Sequence, residues 1–171
     1  MQLDEGTHYK IIDNFFEEEY FKKLQDSIIH NSNSNVPWSF VEKVNSKHDH
    51  ENDNECYFEH VIYFRQPYSD IYQLLEPLWN LLEIKSLIRI KANCYPSKEN
   101  IVKHAPHVDA PFDHNGALIY LNTCDGYTEL VDGTKVESVE NRVLLFNAGL
   151  EHSSTNCTNA KARFNINVNY F

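Results

Sequence analysis

Residues Lys161–Tyr170 (KARFNINVNY) alternate polar and apolar side chains without a break, and no other feature constrains the fold as tightly. Successive side chains of a β-strand point to opposite faces. Lys161, Arg163, Asn165, Asn167 and Asn169 therefore share one face, and Ala162, Phe164, Ile166, Val168 and Tyr170 share the other. Such a strand fits an edge whose polar face meets water. It fits equally a barrel wall whose polar face lines a ligand cavity while its apolar face packs under helices.

The second half of the chain has the texture to supply such a barrel. Short apolar stretches recur at Leu87–Tyr95, Ala117–Leu121, Tyr127–Val131, Arg142–Phe146 and Ala162–Phe171, with turn signals Asp125-Gly126 and Asp132-Gly133 between some of them. Many short strands with this punctuation favour a sandwich or barrel over βαβ units. The first half reads differently. A strand at Tyr9–Ile12 precedes a helix over about Phe16–Ile29, which Asp13 or Asn14 can cap. Tyr57–Arg65 reads as a strand. Ser69–Glu83 reads as a helix with Leu74, Leu75, Leu78, Leu81 and Leu82 on one broad face, kinked or split at Pro77. Between them Asn45–Glu55 is wholly polar and reads as an exposed loop. The expected class is α+β, mainly β, in one domain spanning 1–171. Residues 1–85 supply helical support and substrate-side elements, and 86–171 form the core.

Composition narrows the function classes. Fifteen Lys and Arg against 25 Asp and Glu leave a net charge of −10, which disfavours sequence-independent binding to nucleic acid or to anionic membranes. No apolar run approaches the ~20 residues that span a bilayer, and the polar start shows no secretory pattern. Cys56, Cys94, Cys124 and Cys157 form no CxxC pair, so neither a zinc site nor a redox motif is indicated. Four reduced cysteines in a cytoplasmic protein is the simplest reading.

Three residues carry candidate chemistry: His107 and Asp109 in the run His107-Val108-Asp109, and His152 further on. In a strand, His107 and Asp109 would face the same side and Val108 the other. His152 lies 43 residues beyond Asp109, after several expected strands that can return it to the same place. Two imidazoles and one carboxylate occupy one face of an octahedron and leave three positions open, the facial triad of non-haem Fe(II) oxygenases. Arg163, 11 residues after His152, can hold an anion near the metal, because guanidinium grips carboxylate in a bidentate way.

The runs Cys94-Tyr95-Pro96, His107-Val108-Asp109, Ile119-Tyr120-Leu121-Asn122, Asn141–Phe146 (NRVLLF), His152 and Arg163–Tyr170 (RFNINVNY) occur in one order. Together they make Asn93–Phe171 resemble the catalytic core of Fe(II)/2-oxoglutarate-dependent dioxygenases, in the prolyl 4-hydroxylase-like branch. Tyr9–Phe16 (YKIIDNFF) resembles that branch's strand-to-helix entry. The resemblance implies a double-stranded β-helix core of the jelly-roll or cupin-like kind. It implies iron on His107, Asp109 and His152, and the distal carboxylate of 2-oxoglutarate on Arg163. Tyr95 and Tyr120 align with tyrosines of the cosubstrate pocket, and Asn167 with a small polar residue beside it. The implied cofactor and cosubstrates are Fe(II), 2-oxoglutarate and O2, with ascorbate as a further candidate. The implied reaction hydroxylates a C–H bond and releases succinate and CO2. A peptidyl proline is the first candidate substrate, and a free amino acid or small metabolite the second. Departures include Ser97-Lys98-Glu99-Asn100 where relatives often use glycines, a polar Thr128, and Asp125-Gly126 in place of a Gly-Gly step.

Other histidines compete. His104 and His107 have helical spacing, but Pro106 between them argues against a helix. His114 follows Asp113, and His48 and His50 fall in the polar segment. Two other function classes stand beside the oxygenase: a cupin-like metalloenzyme that does not use 2-oxoglutarate, and a non-catalytic module on a worn barrel. Arg163 speaks against the first, and the complete ligand set against the second.

Overall fold

The computed structural model describes residues 8–30, 36–43 and 56–171. The segment Asn45–Glu55, expected as an exposed loop, lies outside the described residues. Among the described residues, eleven strands and three short helices follow one another: β1 (Tyr9–Ile12), α1 (Glu18–Ile28), β2 (Ser39–Val41), β3 (Tyr57–Phe64), β4 (Gln66–Pro67), α2 (Ile71–Leu74), α3 (Pro77–Leu81), β5 (Leu87–Pro96), β6 (Asn115–Tyr120), β7 (Tyr127–Leu130), β8 (Lys135–Glu137), β9 (Val143–Asn147), β10 (His152–Ser154) and β11 (Ala162–Tyr170).

Two antiparallel sheets stack. The larger runs β1-β9-β6-β11-β5-β3-β2, with β4 paired to β3, and the smaller runs β10-β7-β8. Alternation gives the larger sheet two different faces. One face presents Ile90, Ala92, Ala117, Ile119, Val143, Leu145, Ile166 and Val168 to α1, α2 and α3, which contribute Phe21, Leu24, Ile28, Ile71 and Leu78. The opposite face presents Leu118, Tyr120, Leu144 and Phe146 to Leu130 and Val136 of the smaller sheet. Burial of the first face removes the larger share of apolar surface from water, the dominant favourable contribution to folding. Where the second face is polar, it opens into a cavity between the sheets.

The N-terminal segment is fastened to the core through Asn141. Its side chain accepts from the Phe16 N–H (3.0 Å) and donates to the Phe16 carbonyl (2.8 Å). Asn141 has φ +59°, a conformation that Asn tolerates better than most residues. Arg142 beside it forms a two-pronged ion pair with Asp13 (2.5 and 3.0 Å).

Several expectations need correction. The first helix begins two residues later than expected. Its N-cap is Glu17, which makes no side-chain cap bond, and Asp13 pairs with Arg142 instead of capping. Pro77 does split the second helical region, opening α3 at its first turn. Leu75, Leu78 and Leu82 are buried, but Leu81 is 45% exposed. The short strands β2, β4, β8 and β10 carry too few residues to show a pattern.

Candidate metal centre

His107 and Asp109 do not belong to a regular strand as the two-residue spacing suggests. His107 forms a single antiparallel bridge with His152, each N–H donating to the other's carbonyl at 3.0 Å. The chain then bends, and the Asp109 N–H donates to the Ala148 carbonyl (3.0 Å). Backbone pairing to Ala148, just after β9, and to His152, the first residue of β10, rather than strand alternation, brings the three side chains together. Val108 is 38% exposed at the edge of the cavity.

The side chains of His107, Asp109 and His152 each offer one ligand atom, and these atoms lie within 4.8 Å of one another. The two imidazoles pack at 4.6 Å between centroids. Nδ1 of His152 lies 3.0 Å from the Leu150 carbonyl, and Nδ1 of His107 lies 3.4 Å from the Ala105 carbonyl. A carbonyl partner fixes the proton on Nδ1 and leaves Nε2 as the lone-pair donor, the tautomer that a metal requires. Burial, and then the neighbouring His152, pushes His107 down to about 4, so it is neutral near pH 7. Burial alone would raise the Asp109 carboxyl. His152, Arg89 and Asn167 outweigh it and hold the group well below the usual carboxylate range. Two imidazoles and one carboxylate in contact are the donor set suited to Fe(II) with positions left open.

Asp109 is closed in by donors on both oxygens. Arg89 Nη2 donates to Oδ1 (2.9 Å). The amides of Asn167 and Asn169 donate to Oδ2 (3.0 and 2.9 Å). Asn167, expected beside a cosubstrate, thus also orients the carboxylate. Sequence reasoning misses Arg89 and Asn169 in this role, although the alternation that singles out β11 is also visible in β5. Arg89, Lys91, Asn93 and Tyr95 recur at every second position, and all four line the cavity.

β5 and β11 are hydrogen-bonded neighbours, and their register pairs Arg163 with Tyr95, Asn165 with Asn93, Asn167 with Lys91 and Asn169 with Arg89. The floor of the cavity is therefore a polar ladder. The cavity has a volume of about 310 Å³ and also touches His107, Asp109, His152, Thr128 and Ser154.

Arg163 is fully buried behind two residues of the cavity wall, Tyr95 and Thr128. Its Nη1 donates to the Thr155 carbonyl (3.0 Å) and its Nη2 to Thr128 Oγ1 (2.8 Å). Its guanidinium carbon lies 5.5 Å from the Tyr95 ring centroid and 5.4 Å from that of Tyr120. Nε has no partner, and no carboxylate pairs with this cation among the described residues. A buried charge without a counter-ion is costly. Tyr95 lines the cavity, stacked on Tyr57 at 5.2 Å. The Tyr120 hydroxyl donates to Thr128 Oγ1 (3.0 Å), so Tyr120 supports the wall from behind. Burial raises both tyrosines, which stay protonated.

The competing histidines stay apart from this cluster. His104 is buried with Nδ1 2.9 Å from Ser154 Oγ, and burial followed by the charge of Arg163 lowers it to about 3. His114 Nδ1 lies 2.8 Å from the Phe112 carbonyl. His48 and His50 lie outside the described residues.

No family model and no curated protein matches this sequence. Solved structures do. A prolyl hydroxylase from Trichoplax adhaerens, in complex with a peptide fragment of the hypoxia inducible factor oxygen degradation domain, superposes with TM-score 0.71 at 18% identity, covering 98% of this chain and 84% of that one. A viral collagen prolyl hydroxylase from Paramecium Bursaria Chlorella virus-1, as its 2-oxoglutarate complex, superposes with TM-score 0.63 at 12% identity, covering 96% of both chains. The non-haem α-ketoglutarate-dependent epimerase SnoN from nogalamycin biosynthesis superposes with TM-score 0.66 at 14% identity, covering 96% of this chain and 78% of that one. The two stacked sheets and these superpositions agree: the chain has the double-stranded β-helix fold shared by Fe(II)/2-oxoglutarate oxygenases, prolyl hydroxylases among them.

Proposed function

We propose that the protein is an Fe(II)- and 2-oxoglutarate-dependent dioxygenase that hydroxylates a C–H bond, with release of succinate and CO2. One observation carries this reading: a fully buried Arg163, with no carboxylate partner among the described residues, is held against Thr128 and Tyr95, which line the same cavity as a compact His107/Asp109/His152 cluster. Either feature alone is compatible with several roles. Their combination is what a dicarboxylate bound to a metal needs. A cupin-like enzyme without 2-oxoglutarate leaves the buried guanidinium unexplained.

His107, Asp109 and His152 would hold the metal through two Nε2 atoms and one carboxylate oxygen. Arg163 would hold the distal carboxylate of 2-oxoglutarate, with Tyr95 forming the wall beside it and Tyr120 and Thr128 fixing the guanidinium. When bound, the iron would supply the activation of O2 that couples decarboxylation of 2-oxoglutarate to oxidation of the substrate. The chain's own contribution is orientation and exclusion of water. Arg89, Asn167 and Asn169 keep the Asp109 carboxylate from rotating. The Asn93 amide donates to Asn165 Oδ1 (2.8 Å) and spans the floor between the two ends.

A prolyl side chain in a peptide is the first candidate substrate, supported by the structural neighbour that carries a peptide fragment. The same fold in an epimerase shows that fold does not choose the substrate. The test is to incubate the Fe(II)-loaded protein with 2-oxoglutarate under air, with and without proline-containing peptides or free proline. Succinate and a mass gain of one oxygen atom are followed. Substrate-stimulated succinate formation is expected. A protein that binds Fe(II) but neither binds nor consumes 2-oxoglutarate would refute the reading.

A further inference from the structure

The outer end of the polar ladder has a chemistry of its own. Arg89 and Lys91 point into the cavity from β5, and Lys43 reaches it from the end of β2. Among the described residues, three cations, Lys43, Arg89 and Lys91, line this space against two carboxylates, Glu59 and Asp109, and the buried Arg163 lies behind Thr128 and Tyr95 of its wall. The chain as a whole carries a net charge of −10, so the local balance opposes the global one. Loading the site does not remove the excess, because a divalent metal and a dianionic cosubstrate cancel each other.

The hydrogen bonds point the same way. Lys91 Nζ donates to Glu59 Oε2 (3.1 Å) and to the Tyr57 hydroxyl (3.1 Å). An ammonium has three donors, so one is left. Arg89 uses only Nη2, toward Asp109 and Asn169 (2.9 and 3.4 Å), and its Nε and Nη1 have no partner among the described residues. Lys43 has no hydrogen bond or ion pair among the described residues. The rim thus offers unused donors, and its free groups are cationic. The side chain of Lys91 is 13% exposed and that of Arg89 29%, so these charges are partly shielded from water and an ionic contact there is stronger than on an open surface.

Resting on the oxygenase reading, we propose that the outer station binds a carboxylate of the substrate, held by Lys91, Lys43 and Arg89 so that a neighbouring C–H bond lies over the metal centre. The cavity would then hold two anions in sequence along β5 and β11: the cosubstrate's distal carboxylate at Arg163, and the substrate's carboxylate at Lys91. Glu59, bonded to Lys91 and to the Tyr57 hydroxyl (3.2 Å), holds the ammonium in place. The carboxylate can come from the α-carboxyl of a free amino acid or from an acidic residue next to the reacting residue in a peptide.

The experiment uses the full chain loaded with Mn(II) and 2-oxoglutarate, which cannot turn over, and reads binding by ligand-observed NMR. The probes are two matched pairs: L-proline against L-prolinamide, and the capped peptide Ala-Pro-Asp-Ala against Ala-Pro-Asn-Ala. The acid of at least one pair is expected to bind about tenfold more tightly than its amide partner. The pair that shows the preference identifies the source of the carboxylate. Combined Lys43→Gln and Lys91→Gln should erase the preference, and Lys43→Gln alone, at a more peripheral position, should reduce it. Amide partners that bind as well as the acids would overturn the proposal. So would the absence of binding by all four probes up to about 10 mM while 2-oxoglutarate still binds. Failure of 2-oxoglutarate itself to bind would instead overturn the oxygenase reading, and this inference with it.

Discussion

The surroundings of Asp109, at one end of the site, and of Arg163, behind the cavity wall at the other, differ in how far the chain has completed them. At Asp109 both carboxylate oxygens already have donors, from Arg89, Asn167 and Asn169. At Arg163 the guanidinium has a carbonyl, a hydroxyl and two aromatic rings around it, but no carboxylate among the described residues. In the proposed reading the first end keeps a ligand atom still and the second receives a charge. A carboxylate that must meet a metal in one orientation gains by being restrained before the metal arrives, because less freedom remains to be lost on binding. A cation that must select a dianion gains by having no internal competitor.

Removing a ligand atom should have the largest effect and break the first end outright. Ala at His107, Asp109 or His152 should abolish substrate-coupled succinate formation and weaken Co(II) binding beyond detection in an anaerobic titration, with the fold retained in circular dichroism. His104→Ala, outside the cluster, should be far milder. Loss of activity in His104→Ala with full activity in His152→Ala would reverse the ligand assignment.

The restraint on Asp109 predicts a smaller, graded effect. Arg89→Met and Asn169→Ala leave every ligand atom in place. Each should weaken Co(II) binding by about 10–100-fold, the usual range for partners of metal ligands. Unchanged Co(II) affinity in both would show that the three donors do not position the carboxylate.

Smaller still is an indirect effect at the other end. A Cβ on Gly126 would lie 2.3 Å from the Asn156 carbonyl oxygen and 2.7 Å from Arg163 Cδ. Gly126→Ala should cost about 1–3 kcal/mol in chemical denaturation and raise the 2-oxoglutarate requirement several-fold by displacing the guanidinium. Destabilisation without a change in that requirement would separate the glycine from the site.

The same contrast explains what was legible in the sequence. Strict alternation in β11 exposed its polar face and with it Arg163, Asn165, Asn167 and Asn169. A period of two survives wherever one face is buried and the other lines a cavity. The equivalent pattern in β5 marked Arg89 and Lys91 just as clearly, but only pairing in register with β11 gives those residues a role. His107 and Asp109 stand out by residue type and order, yet their backbone is a bridge and a bend. That geometry depends on hydrogen bonds to His152 and Ala148, far along the chain, which no local pattern encodes. Likewise Asp13 is placed by sequence to cap α1, but its partner Arg142 lies 129 positions away in the chain.

The most direct test is a 2-oxoglutarate titration followed by calorimetry, on Mn(II)-loaded wild-type protein and on Arg163→Met. Wild type should bind one equivalent, and Arg163→Met should bind at least about a hundredfold more weakly while retaining its Mn(II) affinity. The metal-free variant should be as stable as wild type or more so, by up to about 2 kcal/mol, because a buried unpaired charge has been removed. Equal 2-oxoglutarate affinity in the two proteins would contradict the assignment of Arg163 as the anion site, and with it the reading of the cavity as a 2-oxoglutarate pocket.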